Sequence, residues 1–270
     1  MAEFSLLGKS AIVTGAGRGM GRAMALGLAR AGAHVLAVDV DQAPLDEAVG
    51  EAPPARMRGL VADVSREQDR AKIVETCRTA FGGIDVLINN AGIGQATIRA
   101  DYAVNPLRPW EVSDDHLLRF VAVHAVAPLR LAAAALPDMR AKGRGRIVTV
   151  VTDFAVMMRG SFSAYGGAKA ASEAYMSGLA EELAGTGITV NVITPGGMVN
   201  TRMVPDRPGL VRESILQPDT MVPTILWLAS DDSDGVTARR FNTSLWNPEL
   251  PPKESAAKAS APIGWAGAKS

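Results

Sequence analysis

Short apolar runs rich in β-branched residues alternate with longer segments in which apolar positions recur every three or four residues. The short runs are hydrophobic almost throughout, which is typical of strands covered by helices on both faces of a parallel sheet. Six strands are predicted, over 10–14, 33–39, 58–63, 84–89, 146–151 and 188–194. Between them the pattern predicts helices over 20–32, 66–81, 114–141 and 163–184.

Alternating strands and helices predict a doubly wound α/β sandwich with right-handed crossovers. We expect one domain over residues 1–246, because no repeat or long linker divides that stretch. Two segments interrupt the alternation. Residues 94–113 are too long for an ordinary connection in such a fold. The tail over 247–270 is rich in Pro and Ala, and we expect it to be flexible, although Trp265 indicates that part of it packs.

Charge and composition narrow the class of protein. The chain has 28 Lys and Arg against 28 Asp and Glu, a balance that argues against a nucleic-acid-binding face. It shows no apolar run of the roughly 18 residues that cross a membrane and no signal peptide. The single cysteine, Cys77, suits a reducing compartment. We expect a soluble cytoplasmic protein that binds neither nucleic acid nor membrane and needs no metal.

A glycine-rich turn follows the first strand. The sequence TGAGRGMG, residues 14–21, fits the spacing G-x-x-x-G-x-G through Gly15, Gly19 and Gly21. Such a turn lets the backbone leave the strand sharply and lets a pyrophosphate approach the next helix without Cβ atoms in the way. By itself it is equally the pattern of a simple tight turn.

Asp39 ends the second strand, eighteen residues after Gly21. A carboxylate in that place can accept hydrogen bonds from a ribose diol and repels a 2′-phosphate, so it favours NAD over NADP. Arg18 lies within the glycine turn and could reach a 2′-phosphate, which keeps NADP open. The plainer alternative for Asp39 is a solvated acid at a strand end.

Tyr165 and Lys169 stand four residues apart on the helix predicted over 163–184, which puts them on one face. A free tyrosine has a pKa near 10, and a neighbouring ammonium is expected to lower it. The pair is therefore a candidate for proton transfer. A tyrosine and a lysine at this spacing also occur by chance on helix surfaces.

Taken together, these motifs resemble the short-chain dehydrogenase/reductase family in their order and spacing. TGAGRGMG is followed by NNAG at 89–92 and by Tyr165-x-x-x-Lys169, and ADVS at 62–65 and NVITPGG at 191–197 resemble further family motifs. The resemblance covers roughly residues 5–235. It implies a Rossmann-type domain with a mostly seven-stranded parallel sheet, a nicotinamide cofactor and a dimer or tetramer. It also implies hydride transfer between a secondary alcohol or ketone and nicotinamide.

The resemblance assigns roles to single positions. Tyr165 would be the general acid/base, assisted by Lys169, and both would touch the cofactor. The other implied cofactor contacts are Gly15, Arg18, Gly19 and Met20 at the pyrophosphate, Asp39 at the ribose, Asp63 and Val64 at the adenine, Asn90, Ala91 and Gly92 along its length, and Pro195 and Gly196 beside the nicotinamide. Met198 and Thr201 follow, but Thr201 is one residue farther along than the family spacing, so their contacts stay open.

Two positions depart from the family pattern. Thr152, thirteen residues before Tyr165, stands where a serine is usual, and we expect its hydroxyl to hold the substrate oxygen. Asp153 is the alternative functional group there. His124, forty-one residues before Tyr165, stands where an asparagine commonly holds a water in a proton relay. It is either a structural histidine or a relay residue that titrates near neutrality.

The substrate side is the least defined. Candidate walls are the 94–113 insertion, the segment 198–217 that corresponds to the family's mobile lid, and Met157 with Met158. Arg99, Arg202 or Arg207 could meet a carboxylate or phosphate. Two alternatives stay open: an NADPH-dependent 3-oxoacyl thioester reductase, and a non-catalytic NAD-binding sensor or scaffold.

Overall fold

Eight strands form one sheet in the computed structural model, which describes residues 4–265. They are β1 (Ser10–Thr14), β2 (His34–Asp39), β3 (Met57–Val61), β4 (Val86–Asn89), β5 (Gly145–Val150), β6 (Ile188–Thr194), β7 (Arg239–Asn242) and β8 (Ser260–Pro262). Their order across the sheet is β3-β2-β1-β4-β5-β6-β7-β8. All neighbouring strands are parallel except β7 and β8, which are antiparallel. The predicted Rossmann-type fold is confirmed, and its sheet has one strand more than expected.

Helices cover both faces of this sheet. They are α1 (Gly19–Arg30), α2 (Gln42–Gly50), α3 (Glu67–Phe81), α4 (Asp114–Val121), α5 (Ala127–Ala141), α6 (Phe154–Met157), α7 (Ser163–Glu182), α8 (Val222–Ala229) and α9 (Pro252–Ala259). Successive strand residues point to opposite faces, so Ile12 and Val13 enter different cores. Val13 packs in the core that α1 and α8 cover, and Ile12 in the core under α3, α5 and α7. The continuous apolar strands of the sequence follow from this double cover.

The predicted helix over 114–141 is continuous but not uniform, because α4 and α5 join through a π-helical turn at Ala122–Val126. Within residues 4–265 it is also the one helix long and apolar enough to cross a membrane, with a mean hydropathy of 1.6 over its most apolar window. The sequence-based expectation of no such stretch is therefore wrong. Half of that window is buried inside the protein.

The tail expected to be flexible is folded as far as the structure describes it. Its Ala-rich stretch forms α9, which begins with Pro252 in the first turn, where proline is favourable. Its strand β8 extends the sheet, and Ile263 is buried with its N–H bonded to the Ala238 carbonyl at 2.9 Å. Proline and alanine act here as a helix start and a helix former rather than as signs of disorder.

The carboxyl ends of the parallel strands meet at one edge of the sheet. Between β1 and β4 the chain reverses its direction of travel across the sheet, and folds of this class bind ligands in the crevice at that point. The 94–113 insertion follows β4, and the 198–217 segment follows β6, so both lie at this edge. The lid segment is closed at its base by a bridge between Val199 and Leu216.

Candidate active site

The glycine turn is shaped by close backbone approach. Gly15 and Gly19 have φ of 65° and 53°, and a Cβ atom on Gly21 would collide with the Gly15 carbonyl oxygen. The Asn90 side-chain amide donates to the Thr14 carbonyl at 2.9 Å and to the Gly15 carbonyl at 3.1 Å. These contacts hold the turn against the end of β4, so glycine is required there by sterics.

Helix α1 begins at Gly19, and no described side chain caps its N-terminus. The first N–H groups of an uncapped helix carry a partial positive charge and bind phosphates well. Thr201 lies directly over this end, because a Cβ atom on Gly19 would come within 2.9 Å of its Cγ2. The neighbouring Arg18 and Met20 are partly exposed at the same turn. The sequence left the cofactor contacts of Thr201 undecided. The structure puts this residue at the N-terminus of α1, where a pyrophosphate fits.

The NNAG segment ties three strands together. The Thr14 hydroxyl accepts from the N–H groups of Asn90 and Ala91, both at 3.0 Å. The Asn89 amide reaches the Thr149 hydroxyl on β5 at 3.3 Å. This segment therefore supports the central strands as well as lining the crevice.

Asp39 is fixed at the end of β2 beside the glycine turn. Its carboxylate accepts from the Gly17 N–H at 2.8 Å and from the Asp41 N–H at 3.2 Å. Each oxygen keeps a further lone pair for a ligand hydroxyl. A Cβ on Gly17 would come within 3.0 Å of this carboxylate, so the turn and the acid form one concave surface. That surface fits the adenosine end of a dinucleotide.

Two arginines converge on the neighbouring acid, Asp41. Arg202 from the lid segment lies 3.2 Å from its carboxylate and Arg18 lies 3.9 Å away. A positive cluster is therefore present one residue beyond the ribose acid. At the adenosine end of the crevice, these two arginines are the groups that could bind a 2′-phosphate.

The predicted adenine-flanking residues lie at the end of β3. The Asp63 carboxylate accepts from the backbone and the hydroxyl of Ser65, at 2.9 and 2.7 Å, and so shapes the turn into α3. Val64 is buried. Their roles toward a cofactor stay predictions.

At the opposite end of the crevice, Pro195 and Gly196 follow β6. Gly196 has φ of 83°, and a Cβ there would collide with the Asn242 side chain, so the backbone passes close to the end of β7. Met198 is half exposed at the base of the lid, with its sulfur 3.5 Å from the Arg207 guanidinium. Met198 thus faces the lid rather than the core.

Tyr165 and Lys169 lie on one face of α7, as the spacing predicts. The Lys169 ammonium nitrogen is 5.9 Å from the centre of the Tyr165 ring and donates to the Val150 carbonyl at 2.7 Å. Lys169 is only 4% exposed, whereas part of Tyr165 is accessible from the cleft. The lysine is therefore anchored beneath the tyrosine by the last residue of β5.

Burial shifts the pKa values of both residues, and for Tyr165 the shift is opposite to the one expected from the sequence. It raises the pKa of Tyr165 to about 12, while the nearby Thr152 hydroxyl lowers that pKa and the negative charge of Asp153 raises it further. It lowers the pKa of Lys169 to about 7. The expectation that the pKa of the tyrosine is lowered is wrong for the protein alone, because burial disfavours the charged form of each group.

Thr152 and Asp153 face different partners. The Thr152 hydroxyl lies close enough to the Tyr165 phenol to lower its pKa, which is the place a substrate-oxygen clamp requires. The Asp153 carboxylate accepts from the Thr194 hydroxyl at 2.7 Å and is thereby held against the end of β6. The geometry favours Thr152 over Asp153 as the group beside the reacting oxygen.

His124 is a buried, neutral residue within the π-helical turn. Its Nε2 lies 2.9 Å from the Ile93 carbonyl and 3.2 Å from the Ile93 N–H, and its ring packs edge-on against Tyr165 at 5.2 Å. Nδ1 is buried without a hydrogen-bond partner among residues 4–265. Burial and the charge of Lys169 hold its pKa well below 6.5. A relay role stays a prediction, but one that titrates near neutrality does not fit this environment.

The insertion and the lid meet above the tyrosine. The Tyr102 hydroxyl donates to the Met203 carbonyl at 3.2 Å, and the Tyr102 ring packs edge-on against Phe162 at 6.4 Å. Phe162 in turn packs against Tyr165 at 6.5 Å. The sequence reasoning missed Phe162, although an aromatic three residues before the tyrosine was a usable signal. Met157 is buried and Met158 is exposed.

The three candidate arginines have different surroundings. Arg99 pairs with Glu111 at 3.1 Å within the insertion, and Arg202 pairs with Asp41. Arg207 contacts the Met198 sulfur and forms no ion pair with any residue that the structure describes. Burial raises the pKa of Tyr102, and the positive charge of Arg207 acts in the opposite direction. Arg207 is therefore the arginine best placed to meet an anionic group near the cleft.

Neutral burial of His124 has a consequence for stability. Below pH 6.5 an unfolded chain binds a proton at this residue and the folded protein does not, so the free energy of unfolding falls with falling pH. We expect a loss of about 1.4 kcal/mol per pH unit below 6.5 from this group. Denaturant unfolding of the wild type and His124→Asn across pH 5–7 measures it. Parallel pH dependence in the two proteins would contradict the neutral assignment.

The chain matches known proteins over most of its length. A family model described as short chain dehydrogenase matches residues 9–208. The 3-oxoacyl-(acyl-carrier-protein) reductase of Escherichia coli is 29% identical over 245 residues, covering 88% of this chain and 96% of that protein. An uncharacterised oxidoreductase of Methylorubrum extorquens is 34% identical over 258 residues, covering 88% and 97%.

A solved structure shares the architecture. The 3-ketoacyl-(acyl-carrier-protein) reductase of Brucella melitensis, complexed with NADH, superposes with a TM-score of 0.75 at 28% identity, covering 86% of this chain and 95% of that one. The protein therefore belongs to the short chain dehydrogenase family and is an oxidoreductase that acts on CH–OH groups.

Proposed function

We propose that the protein transfers hydride between a secondary alcohol or ketone and NAD, with Tyr165 as the general acid/base. The observation that carries the proposal is the position of the Tyr165 phenol, with the Thr152 hydroxyl beside it and the Lys169 ammonium 5.9 Å from its ring centre, at the open edge of the sheet. The glycine turn and Asp39 lie at the same edge. A proton-transfer group and a dinucleotide cradle thus share one crevice.

The chain's own residues supply the proton chemistry. When bound, a nicotinamide cofactor accepts or donates the hydride at the carbinol carbon. In reduction, Tyr165 gives its phenolic proton to the oxygen that becomes the alcohol, and in oxidation it takes that proton back. The Thr152 hydroxyl holds the same oxygen. Lys169, when protonated, stabilises the tyrosinate left after the proton has moved.

The position of Asp39 supports NAD. Its carboxylate faces the glycine turn and is fixed by the Gly17 and Asp41 N–H groups, so it cannot swing away from a ribose. A 2′-phosphate at that place would meet its negative charge. The pair of arginines on Asp41 is the observation that favours NADP, and it lies one residue farther out.

A second candidate function is reduction of 3-oxoacyl thioesters. Two relatives are reductases of this type, and one of them was crystallised with NADH. Another relative, the D-beta-hydroxybutyrate dehydrogenase of Rhizobium meliloti, is 28% identical over 254 residues. This similarity supports a small hydroxy acid as an alternative substrate. The aromatic wall of Tyr102 and Phe162 fits an apolar group beside the carbonyl in either case.

Replacing the phenol tests the proposed role of Tyr165. We expect Tyr165→Phe to lower kcat by about 10²–10⁴-fold, because proton transfer loses its donor, while NAD affinity stays near that of the wild type. Turnover is measured by nicotinamide absorbance across a panel of secondary alcohols, ketones and 3-oxoacyl thioesters, and affinity by calorimetry.

Tyr175→Phe is the matched control, since Tyr175 lies on the same helix and is 43% exposed. It should retain full activity. NAD binding without turnover of any panel member would favour the non-catalytic sensor instead. Activity in Tyr165→Phe equal to that of the wild type would remove this residue from the mechanism.

Cofactor choice is tested at Asp39. The substitution Asp39→Asn keeps an acceptor for the Gly17 N–H but removes the charge. We expect the ratio of kcat/KM with NAD to kcat/KM with NADP to fall by about 10–100-fold, because hydrogen bonds to a charged acceptor are worth about 1.5–3 kcal/mol. Asp46→Ala, an exposed acid on α2, serves as the control. An unchanged ratio would show that Asp39 does not select the cofactor.

A further inference from the structure

Beneath the loop that carries Thr152 lies a buried ion pair between Arg240 of β7 and Glu173 of α7. Glu173 is fully buried and Arg240 is 8% exposed. Glu173 follows Lys169 by one helical turn on α7, on the same face. The pair thus joins α7, the helix that carries Tyr165 and Lys169, to β7, the strand next to β6.

The guanidinium does more than neutralise Glu173. Its Nη2 donates to the Thr152 carbonyl oxygen at 2.6 Å, and its plane lies over the Phe154 ring, 4.1 Å from the centre. A planar guanidinium can make these contacts at once, whereas a point charge cannot. Arg240 therefore fixes the loop on both sides of Asp153, with Thr152 held directly through its backbone.

The C-terminal segment completes the arrangement. The second carboxylate oxygen of Glu173 accepts from the Gly264 N–H at 3.1 Å. Trp265 packs against Phe154 with ring centres 6.1 Å apart. The orientation of Arg240 is thus set from three sides, by α7, by the loop after β5 and by the residues that follow β8.

We propose that Arg240 and Glu173 are positioning residues that hold the Thr152 hydroxyl toward Tyr165 and the substrate oxygen. The inference rests on the proposed function, since it assigns them to that reaction. A buried ion pair is by itself weak evidence for a role in stability, because an apolar pair of similar volume often serves as well. What an apolar pair cannot replace is the hydrogen bond to the Thr152 carbonyl, and misplacement of a reacting group by 1 Å can cost about 10²-fold in rate.

The test replaces the pair as a unit. In the double variant Arg240→Met with Glu173→Leu, no buried charge is left alone. We expect kcat to fall about 10–100-fold with NAD affinity close to that of the wild type, whereas the unfolding midpoint falls because the Thr152 carbonyl and the Gly264 N–H lose their partners. A matched control removes an ion pair far from the crevice, Arg78→Met with Asp138→Leu, whose partners lie 2.8 Å apart between α3 and α5. It should leave kcat unchanged.

A double-mutant cycle separates positioning from a general structural role. With Thr152→Val in place the hydroxyl is gone, so adding the apolar pair should lower kcat by less than about threefold more. If the apolar-pair variant fails to fold, Arg240→Lys is used. It keeps the charge opposite Glu173 and loses the planar fork that reaches the Thr152 carbonyl, so kcat should still fall.

The outcomes separate the two proposals. If the wild type is active and the apolar-pair variant or Arg240→Lys has the same kcat, the positioning role is overturned. The proposed function is then unaffected. Losses that multiply independently with Thr152→Val also overturn the positioning role, since the pair would then act through something else. A wild type that turns over no substrate of the panel overturns the proposed function, and the positioning role with it.

Discussion

Burying a tyrosine and a lysine side by side without a counter-charge is the constraint on which this site depends. Each group loses solvation on ionising, so the pKa of Tyr165 rises to about 12 and that of Lys169 falls to about 7. The protein alone therefore holds a neutral phenol above a lysine of low basicity. Any group that stabilises the tyrosinate lowers the pKa of Tyr165 and so opposes the effect of burial. The Thr152 hydroxyl does so, and the neighbouring Asp153 carboxylate opposes it.

The fold decides which groups take part in this balance. Parallel strands end at a common edge, and three groups meet there. They are Thr152 after β5, Asp153 hydrogen-bonded to the end of β6, and Lys169 hydrogen-bonded to the Val150 carbonyl. The crevice between β1 and β4 opens at the same edge, beside the glycine turn. A strand order that kept these ends apart would separate the dinucleotide cradle from the proton-transfer pair.

Local patterns foretold much of this arrangement, and long-range contacts did not. The glycine turn and the Tyr165–Lys169 pair are set by close sequence spacing, and the six predicted strands appear within about two residues of their expected bounds. The pKa shifts depend on burial, which spacing does not show. The pairing of Arg240 with Glu173 joins positions far apart in sequence. The tail was misjudged because α9 and β8 gain their order from packing on the sheet.

The ionisation of Tyr165 in the cofactor-free protein shows whether burial or the lysine charge controls the pKa of this phenol. The difference in ultraviolet absorbance between wild type and Tyr165→Phe, followed as pH rises, isolates this phenol from the other two tyrosines. If burial governs the site, no tyrosinate from Tyr165 forms below about pH 10, the pKa of a free tyrosine. A Tyr165 signal that titrates about one pH unit or more below that value would contradict control by burial, because the lysine charge would then outweigh it.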